Sequence, residues 1–523
     1  MTTGPGYQQY PPQPPPQWQS QSPPPPPPPP PSAPPQWQYG PPPQQQQQWQ
    51  APPQQWRPPP PPPPGPRSKT GLWVTLGILA LVLVVAVGAG VGFVLRGGSG
   101  GDATGDATGD PAADPNTVVV KDDEIRDLVQ AHTKALASGD AKAFTSIFDQ
   151  KNAALIRDQT RVFANLSKMP LAEKSYEVLR RQGRAQDSFG RGVKFTQDVA
   201  FVHRFAGIDL RPVSEWYRWT IEKASPNAPL VVTKVEGAPP TISGEASKTM
   251  YFPGPWDIWP DIVVEKAGSS LVLARPEDAA MARRVAPTVS AATTSDLAFW
   301  QKNGDPNAAV PSGFVVALVK GKTQLGKLFR TAKANEDGVS IPMPRWGLAN
   351  DTVKIGGTRV VMDTTSAFFE DEQGITEISE HELAHSLVAG LDSAQFALFG
   401  RANWITEGFA EYVAGRDQPI TQNRRYAEGR AYLAGRLAMP FDGKLPTNPL
   451  WDFKQMTSVN YLMGHLAMRF IAQKYGERKL VEGVVAAYRA PGDDSEAALF
   501  QVLGVSKADF ERQWAGYVRA QLA

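Results

Sequence analysis

The chain has 523 residues, of which 53 are Lys or Arg and 51 are Asp or Glu, so its formal net charge is +2. This near-neutral balance argues against a nucleic-acid-binding role. The chain has no cysteine, which excludes disulfides and thiolate metal ligands. It has five histidines, and two of them lie four positions apart.

Residues 1–70 consist almost entirely of Pro, Gln, Trp, Tyr and Gly. Such a segment has little aliphatic surface to bury, and its prolines lack amide donors, so we expect a disordered tail with polyproline II character. The string PPQWQ occurs at residues 15–19 and again at residues 34–38. The tail is either a low-complexity spacer or a ligand for a cytoplasmic protein that binds proline-rich segments.

Residues 71–95 form an uncharged apolar run, GLWVTLGILALVLVVAVGAGVGFVL. As a helix this run would rise about 37 Å, enough to cross a bilayer core of about 30 Å. Only basic charges precede it, whereas four aspartates occur in the Gly-rich segment 96–116, which we expect to be a flexible linker. The positive-inside rule therefore predicts a single-pass plasma-membrane protein with residues 1–70 in the cytoplasm and the C-terminal domains outside.

The segment 117–237 begins with helical periodicity and continues with strand-like runs. Apolar residues recur at helical spacing from Ile125 to Leu136, and a second short helix follows. Two helices before a meandering sheet resemble the nuclear-transport-factor-like, or SnoaL-like, α+β fold, and the resemblance implies a packing or binding module. His132 and His203 lie on apolar faces, so we interpret both as core histidines rather than as ligands.

Residues 254–523 are predicted to form a second unit, in which a small sheet precedes a set of helices. The stretch DIVVEKAGSSLVLA indicates a hairpin with its turn at residues 267–269. A helix over Pro276–Asn303 follows, with an interruption expected at Pro287. After further strands, the pattern beyond Gly374 is almost wholly helical, so the fold class that we predict is α+β.

The motif with the clearest chemistry is His381-Glu382-Leu383-Ala384-His385, which has the pattern H-E-x-x-H. Positions i and i+4 share one face of a helix, so both imidazoles can reach a single cation. Glu382 would then lie near the open coordination position, where it could take a proton from water. Gly390 is placed to end the helix.

A catalytic zinc site takes a third protein ligand and leaves a fourth position for water. Leu391 stands where the metzincin pattern requires a histidine, which excludes that class. The stretch NWITEGFAEYVAG, residues 403–415, resembles the second motif of the gluzincins, W-x-x-E-G-x-A-x-Y. The resemblance implies that Glu407 is the third zinc ligand. Glu411, one helical turn later, is an alternative ligand or an acceptor behind the ligands.

Farther along, the stretch SVNYLMGHLAMRFIAQKYG resembles the helix that follows the active site in peptidase-MA-like domains. In those domains a tyrosine hydroxyl can donate a hydrogen bond to the developing oxyanion. The resemblance makes Tyr461 the candidate donor, with His465 as an alternative. Core packing is the competing interpretation for both residues.

Together these features resemble a membrane-anchored, peptidase-MA-like gluzincin with the cell-surface architecture of bacterial, especially actinobacterial, proteins. The resemblance implies a zinc metallopeptidase whose Zn²⁺ is held by His381, His385 and Glu407, with Glu382 as the general base. Its partners would be a peptide or protein substrate and, through residues 71–95, the lipid bilayer. The alternative function is a non-catalytic cell-surface binding or scaffold protein that retains a zincin fold.

Overall fold

This computed structural model describes residues 117–182, 186–187, 191–238, 253–329, 334–347, 354–391, 401–451, 453–490 and 492–523. The proline-rich tail, the apolar segment 71–95 and the linker 96–116 lie outside the described residues. Among the helices that are described, none combines the length and the apolar character needed to cross a bilayer. The described part mixes helices and sheets, and its fold class is α+β.

The first part of the described chain contains three helices, a four-stranded sheet and a two-stranded sheet. Its elements are β1 (Val118–Val119), α1 (Asp122–Ser138), α2 (Ala141–Thr145), α3 (Ala153–Lys168), β2 (Leu171–Gln182), β3 (Gln186–Asp187), β4 (Val193–Phe205), β5 (Val213–Lys223) and β6 (Val231–Gly237). Helices α2 and α3 begin at side chains that accept backbone N–H groups, because Asp140 accepts from Ala143 and Asn152 accepts from Leu155. The sequence pattern predicts two helices here, and α3 is a third that the pattern does not indicate.

Strands β2, β4, β5 and β6 form an antiparallel sheet in that order. Along most of β5, buried and half-buried side chains alternate, because one face of the strand packs on the core. His132 and His203 are 1 % and 0 % exposed, and both lie among aromatic rings. Their placement agrees with the interpretation of both as core histidines.

The second part is built on another sheet. Its elements are α4 (Pro255–Ile258), β7 (Val263–Ala267), β8 (Ser270–Ala274), α5 (Ala279–Asn303), β9 (Val315–Val319), α6 (Lys322–Phe329), β10 (Gly338–Pro344) and β11 (Ile355–Asp363). The strands lie in the order β10-β11-β9-β8-β7, with β9 parallel to both of its neighbours and the outer pairs antiparallel. The hairpin predicted around residues 267–269 is the β7–β8 pair.

The expected interruption at Pro287 is wrong. Helix α5 runs without a break from Ala279 to Asn303, with Pro287 inside it. Proline removes one intrahelical hydrogen bond. However, Val285, Ala286 and Val289 beside it are buried in a hydrophobic cluster with strands β8, β9 and β11, and this burial holds the helix on the sheet through the proline.

From residue 372 onward the described chain is nearly all helix, as predicted. The helices are α7 (Glu372–Ala389), α8 (Asn403–Gly415), α9 (Tyr426–Leu433), α10 (Asn448–Trp451), α11 (Lys454–Tyr475), α12 (Glu477–Arg489), α13 (Ser495–Leu503) and α14 (Lys507–Leu522). They share one large hydrophobic cluster, to which α7, α8 and α11 all contribute. This cluster fixes the relative positions of the helices that carry the predicted metal ligands.

Arg359 on β11 links the two parts of the described chain. Its guanidinium donates two hydrogen bonds to the Asp209 carboxylate, at 2.7 and 3.0 Å, and one nitrogen lies 3.1 Å from His203 Nε2. The Arg359 side chain is buried, and a continuous hydrophobic cluster around it includes residues of both sheets. The strand that pairs with β10 is thus attached directly to the first part.

Candidate metal centre

Helix α7 places the two histidines of the H-E-x-x-H motif on one face. The Asp371 side chain accepts a hydrogen bond from Gly374 N at 2.6 Å and so caps the start of the helix, while Gly390 follows its last residue. His381 and His385 lie one turn apart, with their Nε2 atoms 3.2 Å from each other. Two imidazoles this close are a usual basis for a metal site, because each offers a nitrogen lone pair.

Helix α8 brings Glu407 to the same point. A Cβ atom added at Gly408 would lie 2.7 Å from the backbone carbonyl carbon of Gly464, so α8 and α11 touch backbone to backbone where they cross. This close approach leaves room for no side chain at either glycine. It places Glu407, the residue before Gly408, against α7 on the side of the two histidines.

The three predicted ligand atoms fit a tetrahedral metal ion. Glu407 Oε2 lies 3.4 Å from His381 Nε2 and 3.3 Å from His385 Nε2. An ion with metal–ligand bonds of about 2.0–2.1 Å in tetrahedral geometry holds neighbouring ligand atoms about 3.3–3.4 Å apart. The His381, His385 and Glu407 group could therefore hold a metal ion.

The electrostatics of the group favour positive charge at its centre. Burial lowers the pKa of His381, but hydrogen bonds with Glu407 and Glu411 outweigh this effect and raise the pKa to about 10. Burial raises the pKa of Glu407, but the two histidines outweigh it and hold the pKa well below its usual value. Both pKa shifts arise because the site favours a positive charge beside the Glu407 carboxylate. A bound cation would also supply that charge.

Glu411 supports the site from behind. Its Oε1 lies 3.2 Å from His381 Nδ1, and its Oε2 accepts a hydrogen bond from Arg425 at 2.8 Å. Burial alone would raise the Glu411 pKa, but Arg425 and His381 hold it at about 2, so the carboxylate is charged. A charged acceptor on Nδ1 fixes the tautomer that leaves Nε2 free to bind a metal. The structure thus places Glu411 behind the ligands rather than among them.

Glu382, the predicted general base, lies against the edge strand β10. A Cβ atom added at Gly338, the first residue of β10, would come within 2.6 Å of Glu382 Oε1. Glu382 is 6 % exposed, and burial raises the pKa of its carboxyl above the usual value of a glutamate. Because Gly338 has no side chain, the Glu382 carboxylate has room to lie against β10.

A cleft opens over these residues. Its lining includes the ligand group, Glu382, Gly338 and Tyr461, together with residues from the loop between α8 and α9. The Tyr461 ring lies 6.1 Å from the His381 ring and is held by Trp451 and by Arg425, whose guanidinium carbon lies 4.8 Å from the Tyr461 ring centre. Burial raises the Tyr461 pKa well above its usual value, so its hydroxyl keeps its proton.

His465 occupies a different environment from Tyr461. It is 1 % exposed, does not line the cleft and packs against Gly415 and the ring of Tyr412 on α8. Burial lowers its pKa to about 4, so the ring is neutral. The structure brings five of the six predicted site residues to the cleft and leaves His465 in the helical core.

Several residues of the cleft were missed by the sequence analysis. Arg425 and Gly338 contact predicted site residues, and the buried acids Glu336 and Asp337 line the cleft beside Gly338. Asp337 pairs with Lys322. The one signal in the sequence is the double arginine at 424–425 shortly after α8, because the contacts of the other residues depend on strand positions far away in the chain.

Two comparisons with known proteins found no match to this chain. A scan against protein-family models found no match to the chain, and a search of curated proteins found no match either. The proposed function therefore rests on the chemistry of the site.

Proposed function

We propose that this chain is a zinc-dependent metallopeptidase of the gluzincin type. The observation that carries the proposal is the convergence of His381, His385 and Glu407 beside Glu382 in an open cleft. Two imidazoles and one carboxylate form a ligand set that catalytic zinc sites use, with one position left for water or substrate.

Each residue of the cleft has a role in this proposal. Bound zinc would act as a Lewis acid that polarises the scissile carbonyl and lowers the pKa of water. Glu382 takes a proton from the attacking water and delivers it to the leaving amine. Tyr461, whose hydroxyl makes no hydrogen bond to the described residues, donates one to the carbonyl oxygen as negative charge develops there.

The position of β10 supports a peptide substrate. β10 lies at the end of its sheet, and near Gly338 it has no strand partner other than β11 among the described residues. An extended peptide can add to such an edge through backbone hydrogen bonds. Gly338 lines the cleft, so a peptide on this edge passes beside Glu382.

The remaining predictions belong to the same proposal. Residues 71–95 anchor the protein in the plasma membrane, with the peptidase part outside the cytoplasm. The first part, residues 117–237, is a nuclear-transport-factor-like module, which its helices and its four-stranded antiparallel sheet support. The peptidase part, residues 254–523, has a zincin-like arrangement in which a small sheet precedes the helices.

The test is the substitution Glu382→Gln in the full-length protein, purified in a non-ionic detergent. We expect zinc content to stay at one ion per chain, while cleavage of a peptide library, followed by mass spectrometry, falls by at least about 100-fold. The matched control is Glu372→Gln, which makes the same change on an exposed residue of the same helix and should cleave normally.

Two outcomes contradict the proposal. Unchanged cleavage by Glu382→Gln would remove Glu382 from the reaction. A wild-type protein that binds zinc tightly and cleaves none of the peptides would instead be a metal-binding scaffold. Removal of zinc by a chelator, followed by its return, separates hydrolysis by this site from that of a contaminating peptidase.

A further inference from the structure

A cavity lies between the helices and the sheet of the first module. The cavity has a volume of ≈ 200 Å³ and shares no lining residue with the metal cleft. Its walls are formed by residues from α1, α3, β2, β5, β6 and α4: His132, Asp158, Gln159, Val162, Tyr176, Tyr217, Trp219, Val235, Glu236, Gly237 and Asp257. Such a volume is below the about 300–1,000 Å³ of pockets for drug-sized ligands, so a fitting molecule is small.

Three residues of the cavity wall carry polar groups that are open to the cavity and unpaired within the described part of the chain. His132, Gln159 and Tyr176 are 1 %, 6 % and 7 % exposed. The Gln159 amide, the Tyr176 hydroxyl and the His132 Nε2 atom make no hydrogen bond to any described residue. All three residues line the cavity, so these groups can hydrogen-bond to a molecule bound inside it.

The histidine defines what that molecule must offer. His132 Nδ1 lies 3.1 Å from the carbonyl oxygen of Phe144, so Nδ1 carries the proton and donates it. Burial lowers the pKa of His132 to about 3, which keeps the ring neutral. In a neutral ring with the proton on Nδ1, Nε2 is an acceptor. The ligand must therefore present a polarised hydrogen to this wall.

The charged groups and aromatic rings of the wall indicate the charge and the shape of the ligand. Asp158, Glu236 and Asp257 line the cavity, and among the described residues no lysine or arginine does. Asp158 pairs with Arg161 and Glu236 pairs with Lys234, while Asp257 accepts a hydrogen bond from the Tyr217 hydroxyl.

The aromatic residues Tyr176, Tyr217 and Trp219 also line the cavity. Aromatic faces and carboxylates together attract organic cations and disfavour anions.

We propose that this cavity is a binding site for a small organic ammonium ion, with its charged group among the aromatic rings and the carboxylates. Its polarised hydrogens satisfy His132 Nε2 and the oxygens of Gln159 and Tyr176. The site would give the first module a ligand of its own, independent of the metal centre.

The experiment is isothermal titration calorimetry on the full-length protein in a non-ionic detergent. The probes are choline, butylamine and the uncharged carbon analogue of choline, in which a carbon replaces the quaternary nitrogen. We expect at least one of the two cations to bind, and the carbon analogue to bind at least tenfold more weakly than choline where choline is the ligand. Glucose serves as a neutral polar probe.

Two variants locate the site. Glu236→Gln removes one charge from the exposed rim, and Tyr176→Phe removes one hydroxyl while keeping the ring. We expect each to weaken binding of the cation at least threefold. Glu222→Gln makes the same change as Glu236→Gln on the neighbouring strand, outside the cavity, and should bind normally. Circular dichroism confirms that each variant is folded.

Three results overturn the proposal. They are absence of binding by both cations, binding of choline that its carbon analogue equals, and binding of glucose alone. Cation binding that neither Glu236→Gln nor Tyr176→Phe weakens would place the bound molecule elsewhere and overturns the proposal as well.

Discussion

His381 is held through both of its ring nitrogens, by two carboxylates from one helix. Nε2 faces Glu407 and Nδ1 faces Glu411, which lie one turn apart on α8. The two glutamates thus have different roles, because each lies beside a different ring nitrogen of His381. In the proposed site, the carboxylate near Nε2 would bind the metal ion, and the carboxylate near Nδ1 would orient the ring.

The two carboxylates are expected to differ in their effect on zinc affinity. Glu411→Gln removes the charge behind His381 and should weaken zinc binding about 10–100-fold. Glu407→Gln removes a ligand and should weaken it further, because an amide oxygen is a poorer donor than a carboxylate. Competition with a chromogenic chelator measures both. Equal losses, or a larger loss in Glu411→Gln, would exchange the two roles.

At the residue scale the sequence predicts what depends on local spacing. The helical period puts His381 and His385 on one face whatever surrounds them. The contact of Gly338 with Glu382 and that of Arg425 with Glu411 join residues from different elements. Such pairs follow from the packing of helices and strands, which single-residue patterns do not specify.

Helices α8 and α11 approach each other through Gly408 and Gly464, and this crossing positions both Glu407 and Tyr461. A Cβ atom at Gly464 would lie 3.0 Å from Gly408 Cα and 3.2 Å from the Trp404 carbonyl oxygen. Backbone atoms cannot rotate away as a side chain can. Separating the helices would therefore move the predicted metal ligand and the proposed oxyanion donor together.

Gly464→Ala is accordingly expected to lower the free energy of unfolding by about 1–3 kcal/mol, in the range of overpacked cores. It should also reduce zinc affinity, although it touches no ligand. Chemical denaturation and chelator competition measure the two effects. Gly516→Ala is the control, because a Cβ there meets no atom within 4 Å; it should be neutral or slightly stabilising. A Gly464→Ala protein as stable as wild type would contradict the tight crossing.

Element prediction from the sequence fails where packing overrides local preference. Strand β10 contains Pro342 and Pro344, which disfavour a strand, yet it pairs with β11 as an edge strand. An edge tolerates proline because one side of the strand needs no donor. Helix α5 passes through Pro287 for a related reason, since its burial on the sheet outweighs one lost hydrogen bond.

For the whole molecule, the buried pair of Arg359 and Asp209 joins the two sheets. Arg359→Met would leave the Asp209 carboxylate buried without its cation, and we expect a loss of about 3–5 kcal/mol in the free energy of unfolding. Arg204→Met is the control, because the pair of Arg204 with Glu173 is largely exposed and should be worth less than about 1 kcal/mol. Similar losses in both variants would contradict a special role for Arg359.

The response of stability to pH is also a property of the whole fold. The unfolded chain binds a proton at His132 near pH 6.5, whereas in the folded chain burial lowers the pKa to about 3. Stability contributed by the neutral ring is therefore lost as pH falls from 6.5 toward 3, at up to about 1.4 kcal/mol per pH unit. His132→Phe should flatten this slope relative to wild type in unfolding measurements. An equal slope in both proteins would show that His132 is protonated in the fold.

The attachment at Arg359 has a consequence for how such a gene can be recombined. A crossover between codons 238 and 253 would join a foreign first part to a strand that still carries this guanidinium. The resulting chimaera would bury the Arg359 charge without a carboxylate partner. Arg359 lies on β11, which pairs with β10 at the wall of the cleft. The two sheets should therefore be inherited together, as one unit.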